Sequence, residues 1–191
     1  MAEKTSQMIE LGTIAPEFSL PDPEGNVHSL GYGATAYLVM FICNHCPYVK
    51  HLADHFSQFA RHYRSYGLQV IAINSNDYRS HPEDNPEKMR EEAALRKYDF
   101  PYLIDETQLV ARAFQAACTP DFFLFDNAGK LAYRGQFDAS RPQNGHPVTG
   151  AAMRAAINVV LAGQSLPEDS QVPSMGCNIK WKAGNEPTYF G

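Results

Sequence analysis

"TAYLVMFICNHCPYVKHLADHFSQFARHYRSYG", residues 35–67, is where the reading of this chain begins. Its first part, 35–42, is an unbroken apolar run that includes Val39 and Ile42. Such a run suits a strand buried on both faces. From Pro47 the period changes. At roughly 100° per residue, Tyr48, Leu52, Phe56, Phe59, Tyr63 and Tyr66 share one helical face, and Lys50, Asp54, Gln58, Arg61 and Arg64 share the other. Gly67 is a natural stop, because glycine accepts the left-handed conformation that ends helices. The spacing predicts a buried strand, a short connection and a helix over 47–66. Cys43 and Cys46 lie in the connection, separated only by Asn44 and His45.

Outward from this unit, strand and helix patterns alternate. "LQVIAIN" (68–74) reads as a second buried strand. "PEKMREEAALRKY" (86–98) reads as a helix that starts on proline and carries a Glu92–Arg96 pair at i,i+4. "PYLID" (101–105) is a short strand and "TQLVARAFQA" a short helix. "PDFFLFD" and "LAYRGQF" are two strands joined by the turn "NAGK", and 149–163 is a last helix stopped by Gly163. Ahead of all this, "LGTIAPEFSLPDPEGNVHSL" reads as a hairpin around the turn cluster "PDPEGN". The expected class is α/β, a mixed central sheet with helices on both faces. Residues 1–163 form the domain and 164–191 a C-terminal tail. Proline and glycine break the tail's pattern, yet it holds Trp181, the only tryptophan, and Cys177, the fourth cysteine. A disordered tail would be poorer in both, so 164–182 is expected to fold back on the domain through Ile179 and Trp181.

Composition narrows the function. The chain has 191 residues, 44% hydrophobic and 19% charged, with a net charge of −5. A chain of this size buries about 70% of its unfolded surface and needs no disulfide staples. The negative charge gives no signal for nucleic acid, and no segment approaches the ~20 apolar residues of a membrane span. The opening "MAEKTSQMIE" has no apolar signal region, so a cytoplasmic setting is expected. In that setting thiols stay largely free, and clustered cysteines point to redox chemistry or metal binding.

The position of the pair favours redox chemistry. Unpaired N–H groups and the dipole at a helix start stabilise an anion, so a thiol there should be acidic and reactive. A second thiol about one turn away can resolve a mixed disulfide. His45, when protonated, adds positive charge. Cys43 is expected to be the more exposed and more acidic of the two.

The chain resembles the redoxin branch of the thioredoxin superfamily, and within it a peroxiredoxin-like, AhpC/TSA-related subgroup with a CxxC motif. "GTIAPEFSLPDPEG" is similar to that branch's opening, "FICNHCP" occupies its redox-motif position, and "CTPDFFLFDNAGK" is similar to its Thr-Pro loop and following hairpin. "PVTG" and "SMGCNIKWK" resemble the subgroup more narrowly. The resemblance implies a thioredoxin-like fold with an N-terminal hairpin extension. It implies Cys43 as exposed nucleophile and Cys46 as buried resolving thiol. It implies a cis Thr119–Pro120 bond facing the pair, with Asn44, His45, Thr119 and Pro120 meeting the substrate. Two departures stand out. Ile42 replaces the aromatic residue usual before the first cysteine. Val39 and Cys43 replace the proline and threonine of the peroxidatic motif counted back from Cys46, so the threonine hydroxyl that serves peroxide activation is missing.

The leading expectation is a thiol–disulfide oxidoreductase acting on a protein or small-molecule disulfide or dithiol, with an electron donor the sequence does not name. It needs no metal or organic cofactor and has no nucleic-acid or membrane partner. The alternatives are a thiol peroxidase and a non-enzymatic metal-binding or interaction module. Cys118 and Cys177 are candidates for additional redox thiols, and buried inert roles are the competing reading for both. His51, His55 and His62 form a stripe along the 47–66 helix, but "HLADH" lacks the glutamate of a zinc-protease motif.

Overall fold

The structure is a computed structural model that describes residues 3–31 and 33–190. In chain order the strands and helices are β1 (Glu3–Thr5), β2 (Leu20–Pro21), β3 (Val27–His28), β4 (Ala36–Phe41), α1 (Pro47–Arg64), β5 (Leu68–Asn74), α2 (Pro86–Arg96), β6 (Tyr102–Ile104), α3 (Leu109–Ala113), β7 (Cys118–Thr119), β8 (Asp121–Asp126), β9 (Leu131–Arg134), α4 (Ala151–Leu161) and β10 (Met175–Asn178).

The apolar run at 35–42 becomes β4, the middle strand of a five-stranded sheet ordered β6-β5-β4-β8-β9. β4 pairs parallel with β5 and antiparallel with β8, and β5 with β6 is parallel. The sheet is therefore mixed, as expected. Side chains alternate across a strand, and here both sides are buried. Leu38 and Met40 face a core built with Phe56, Phe59, Met89, Met153 and Ile157, from α1, α2 and α4. Tyr37, Val39 and Phe41 face a second core with Phe18, Phe114, Phe123, Ile179 and Trp181. That second face is covered by α3, the β2–β3 hairpin and the tail. Two cores explain why β4 shows no polar alternation.

Local chemistry sets the helix ends. α1 stops where Gly67 adopts φ +87°, and a Cβ there would meet Thr35 Oγ1 at 2.3 Å. α2 begins at Asn85, whose side chain accepts from the Lys88 N–H. Such a cap contributes about 1 kcal/mol. The Glu92–Arg96 pair forms at 2.9 Å. Tyr66, expected on the buried face of α1, is exposed, because it lies past the helix end.

The tail departs most from its sequence pattern. β10 is the middle strand of a small antiparallel sheet, β1-β10-β7. Glu3 and Thr119 are the partners of Cys177 on either side. Ile179 and Trp181 are buried against the second core. Among the described residues no helix is long and apolar enough to cross a membrane.

Candidate active site

β4 ends at Phe41 and α1 begins at Pro47, so residues 42–46 turn out of the sheet at the C-terminal end of its middle strand. The Ile42 N–H still donates to Ile73 O, at 3.0 Å. Beyond it the chain is anchored by Asp84, from the short helical turn Pro82–Asp84. The Asn44 N–H donates to Asp84 Oδ1 at 2.8 Å, and Asn76 Nδ2 donates to Asp84 Oδ2 at 2.7 Å. His45 Nδ1 lies 2.7 Å from Asp84 Oδ2. Burial works against the carboxylate, but these bonds outweigh it and hold the Asp84 pKa below the ordinary carboxylate value. The anion therefore sits next to the CxxC segment and anchors it. His45 stacks on His81, with ring centroids 5.3 Å apart, and its buried Nε2 has no hydrogen-bond partner among the described residues.

Asn44 points inward. Its Nδ2 donates to the Glu83 carbonyl at 2.9 Å, and the Tyr102 hydroxyl donates to its Oδ1 at 3.0 Å. Its polar atoms are thus engaged inside the fold. His51 Nε2 lies 2.6 Å from Ser140 Oγ, and His62 packs on Tyr63 and Tyr66, so those two histidines have local partners.

The thiols meet the β7–β10 ladder. The Thr119–Pro120 peptide is cis. Thr119 Oγ1 lies 3.3 Å from Cys43 Sγ, and the Thr119 carbonyl oxygen lies 3.0 Å from Cys46 Sγ. On the other side of Cys46, Cys177 Sγ is 2.9 Å away. Thr119 and Cys177 are register partners, so their side chains leave the ladder on the same face. Cys118 belongs to the opposite face and packs with its Sγ 3.5 Å from the Pro120 carbonyl. The three sulfurs of Cys43, Cys46 and Cys177 therefore form one cluster, and Cys118 lies outside it.

Two features differ from the sequence expectation. Cys43 is 2% exposed and Cys46 0%, so neither thiol is open to solvent. The acidity is also reversed. Burial, followed by the hydrogen bond with Cys46 and the Asp84 charge, pushes the Cys43 thiol up. Hydrogen bonds from Cys177 and Cys43 pull Cys46 down. Cys177 goes up as the donor to Cys46. The helix-start argument acts on Cys46, the N-cap residue of α1, rather than on Cys43 three positions earlier. As a thiol Cys46 donates to the Thr119 carbonyl. Once ionised, it accepts from the two flanking thiols.

Asp84, Asn76 and Tyr102 have no counterpart in the sequence reading. Asp84 lies in the polar loop "SNDYRSHPEDNP", where nothing distinguishes it from its neighbours. The potential ligand atoms of Cys43, His45 and Asp84 lie within 4.8 Å of one another, which marks the place where a metal ion would have its donors. Asp84 there already accepts three hydrogen bonds, so the set is better matched to anchoring the segment than to ligation.

A mixed five-stranded sheet, a Cys-x-x-Cys at a helix start and a cis-proline loop packed against it define a thioredoxin-like protein. The pattern described as the AhpC/TSA family matches residues 11–134. The chain belongs to that family. It is 29% identical over 130 residues to the thiol-disulfide oxidoreductase ResA of Geobacillus thermodenitrificans, covering 68% of this chain and 70% of that one. Two solved structures are similar over nearly the whole chain. A hypothetical protein from Sinorhizobium meliloti is 49% identical with a TM-score of 0.92, covering 94% of this chain and 99% of that one. An uncharacterized conserved protein from Geobacillus kaustophilus is 50% identical with a TM-score of 0.92, covering 95% and 97%.

Proposed function

We propose that the protein is a thiol–disulfide oxidoreductase whose working pair is Cys43–Cys46. The observation that carries this reading is the placement of both sulfurs against Thr119, one at its hydroxyl and one at its carbonyl, where α1 begins. In the reducing direction Cys43 loses its proton to solvent as its Sγ attacks one sulfur of a substrate disulfide. A mixed disulfide forms, and the other substrate sulfur leaves as a thiolate and is protonated. Cys46, held as the thiolate, attacks Cys43 Sγ. The Cys43–Cys46 bond closes, the second substrate thiol leaves, and an external dithiol restores the pair. Run backwards, the same steps oxidise a dithiol. In this reading His45 and the Thr119-Pro120 edge meet the substrate, while Asn44 shapes the segment from within. A cytoplasmic setting is part of the reading.

Because Cys43 is buried, a substrate reaches it only when the 43–46 segment opens. A second reading, thiol peroxidase, draws on the lowered pKa of Cys46 beside another thiol. One set of assays separates the two. The wild type, Cys43→Ser and Cys46→Ser are given an aromatic disulfide or hydrogen peroxide, with dithiothreitol as donor. The expected result is disulfide turnover in the wild type, loss in Cys43→Ser, and a trapped mixed disulfide at Cys43 in Cys46→Ser. Undiminished disulfide turnover in Cys43→Ser would refute the assignment. Rapid peroxide consumption dependent on Cys46 would replace it with the peroxidase reading.

A further inference from the structure

We propose that Cys177 is a third redox thiol of the same centre and forms an internal disulfide with Cys46. This extends the oxidoreductase reading and rests on it for the source of the first disulfide. Cys46 and Cys177 are 131 positions apart in sequence, yet their sulfurs are 2.9 Å apart. A disulfide is about 2.05 Å long, so bonding needs a closure of roughly 0.9 Å, within the reach of small side-chain rotations.

The surroundings hold this approach in place. β10 is hydrogen-bonded on both edges, to β1 and to β7. Gly176 lies so close to the cis-proline loop that a Cβ would fall 2.0 Å from the Thr119 carbonyl oxygen and 2.6 Å from its carbon. Glycine at 176 therefore lets β10 press against the same residue that contacts Cys43 and Cys46. Cys177 itself is 4% exposed, which shields it from outside thiols and directs it toward Cys46.

The step is thiol–disulfide exchange within the chain. Starting from Cys43–Cys46, the Cys177 sulfur attacks Cys46 Sγ. The Cys46–Cys177 bond forms, the Cys43–Cys46 bond breaks, and Cys43 leaves as a thiolate that takes up the proton lost by Cys177. No outside oxidant is consumed, because the two oxidising equivalents only move from one sulfur pair to the next. The result is a protein that stores a disulfide inside the fold while Cys43 is again a free thiol. In that state Cys43 can form one mixed disulfide with a further substrate, releasing one substrate thiol, and an external thiol must then resolve it.

Wild-type protein and Cys43→Ser, Cys177→Ser and Cys118→Ser variants are each oxidised with diamide, alkylated in acid and mapped by mass spectrometry under non-reducing conditions. Circular dichroism checks that each variant is folded. The expected result is a Cys46–Cys177 linked peptide as a major product in Cys43→Ser and alongside Cys43–Cys46 in the wild type. Cys118→Ser should match the wild type, and Cys177→Ser should give Cys43–Cys46 alone. Folded Cys43→Ser that retains free Cys46 and Cys177 after oxidation overturns the proposal, and in that case a Cys43–Cys46 bridge in the wild type leaves the oxidoreductase reading standing. If Cys177→Ser, in which exchange is blocked, forms no Cys43–Cys46 bridge, the exchange step has no first disulfide to start from and the oxidoreductase assignment falls with it.

Discussion

Asp121 offers the sharpest test of the physical reasoning. It begins β8, directly after the cis-proline, and is 0% exposed. The Ser6 hydroxyl donates to its Oδ1 at 2.6 Å and the Ala117 N–H to its Oδ2 at 3.1 Å. Burial nevertheless dominates and raises its pKa from 3.8 to about 7. The folded state thus prefers the protonated acid. Below the unfolded value both states are protonated and the group costs nothing. As pH rises from ~4 to ~7 the unfolded chain ionises first, so stability falls; above ~7 the penalty is constant. A rise of about 3 units at 1.36 kcal/mol each amounts to about 4 kcal/mol. Asp121→Asn removes the ionisation and keeps an acceptor for Ser6 or Ala117. Urea unfolding of both proteins at pH 4, 5, 6, 7 and 8 gives the difference, in which the other carboxylates largely cancel. The variant should gain on the wild type by about 4 kcal/mol between the ends of the series, which at ~2 kcal/mol per M of urea moves the relative midpoint by about 2 M. A separation that stays constant from pH 4 to 8 would refute the argument that burial outweighs the hydrogen bonds.

Three further outcomes follow from the same structure. Gly176→Ala should lower stability by about 1–3 kcal/mol through overpacking against the Thr119 backbone, measured by urea midpoint, and should suppress the Cys46–Cys177 bridge in the mapping experiment. Asp84→Asn should cost about 1–3 kcal/mol at pH 7. The folded Asp84 pKa is depressed, so this stabilisation is present above the unfolded carboxylate value and fades as pH falls through the folded one; the gap between the two proteins should narrow in acid. The same variant should alkylate faster at Cys43, since the 43–46 segment loses its anchor, and an unchanged iodoacetamide rate would contradict the anchoring role. Trp181→Ala should cost about 3–5 kcal/mol, because the indole is packed in the second core; a loss below 1 kcal/mol in thermal or urea unfolding would show that the tail is dispensable.

Most elements legible in the sequence are those with a period. The apolar run at 35–42, the 3.6-residue repeat of α1 and the β8–β9 hairpin all announce themselves within a dozen residues, because burial imposes a spacing along the chain. α2 buries only Met89 and is legible instead by its opening proline and the Glu92–Arg96 pair. The Cys-x-x-Cys pair is legible for the same reason, since strand end and helix start are both local. β1 and β10 escaped notice as strands. They are three and four residues long, and each is held by pairing with distant partners rather than by its own pattern. Asp84 was equally unmarked, one polar residue among several in a loop.

The sequence by itself determined the α/β class, the strand–thiol–helix unit and the presence of an ordered tail. Tertiary structure decided which sulfur is the more acidic, which third thiol lies beside the pair and which carboxylate holds the segment. Those outcomes depend on distances between Cys43, Cys46, Thr119, Cys177 and Asp84, residues brought together by strand pairing and loop closure. Chain periodicity records which face of an element is buried. It carries no information about which buried atom meets which, and burial and hydrogen bonding at that contact are what set the protonation of a thiol.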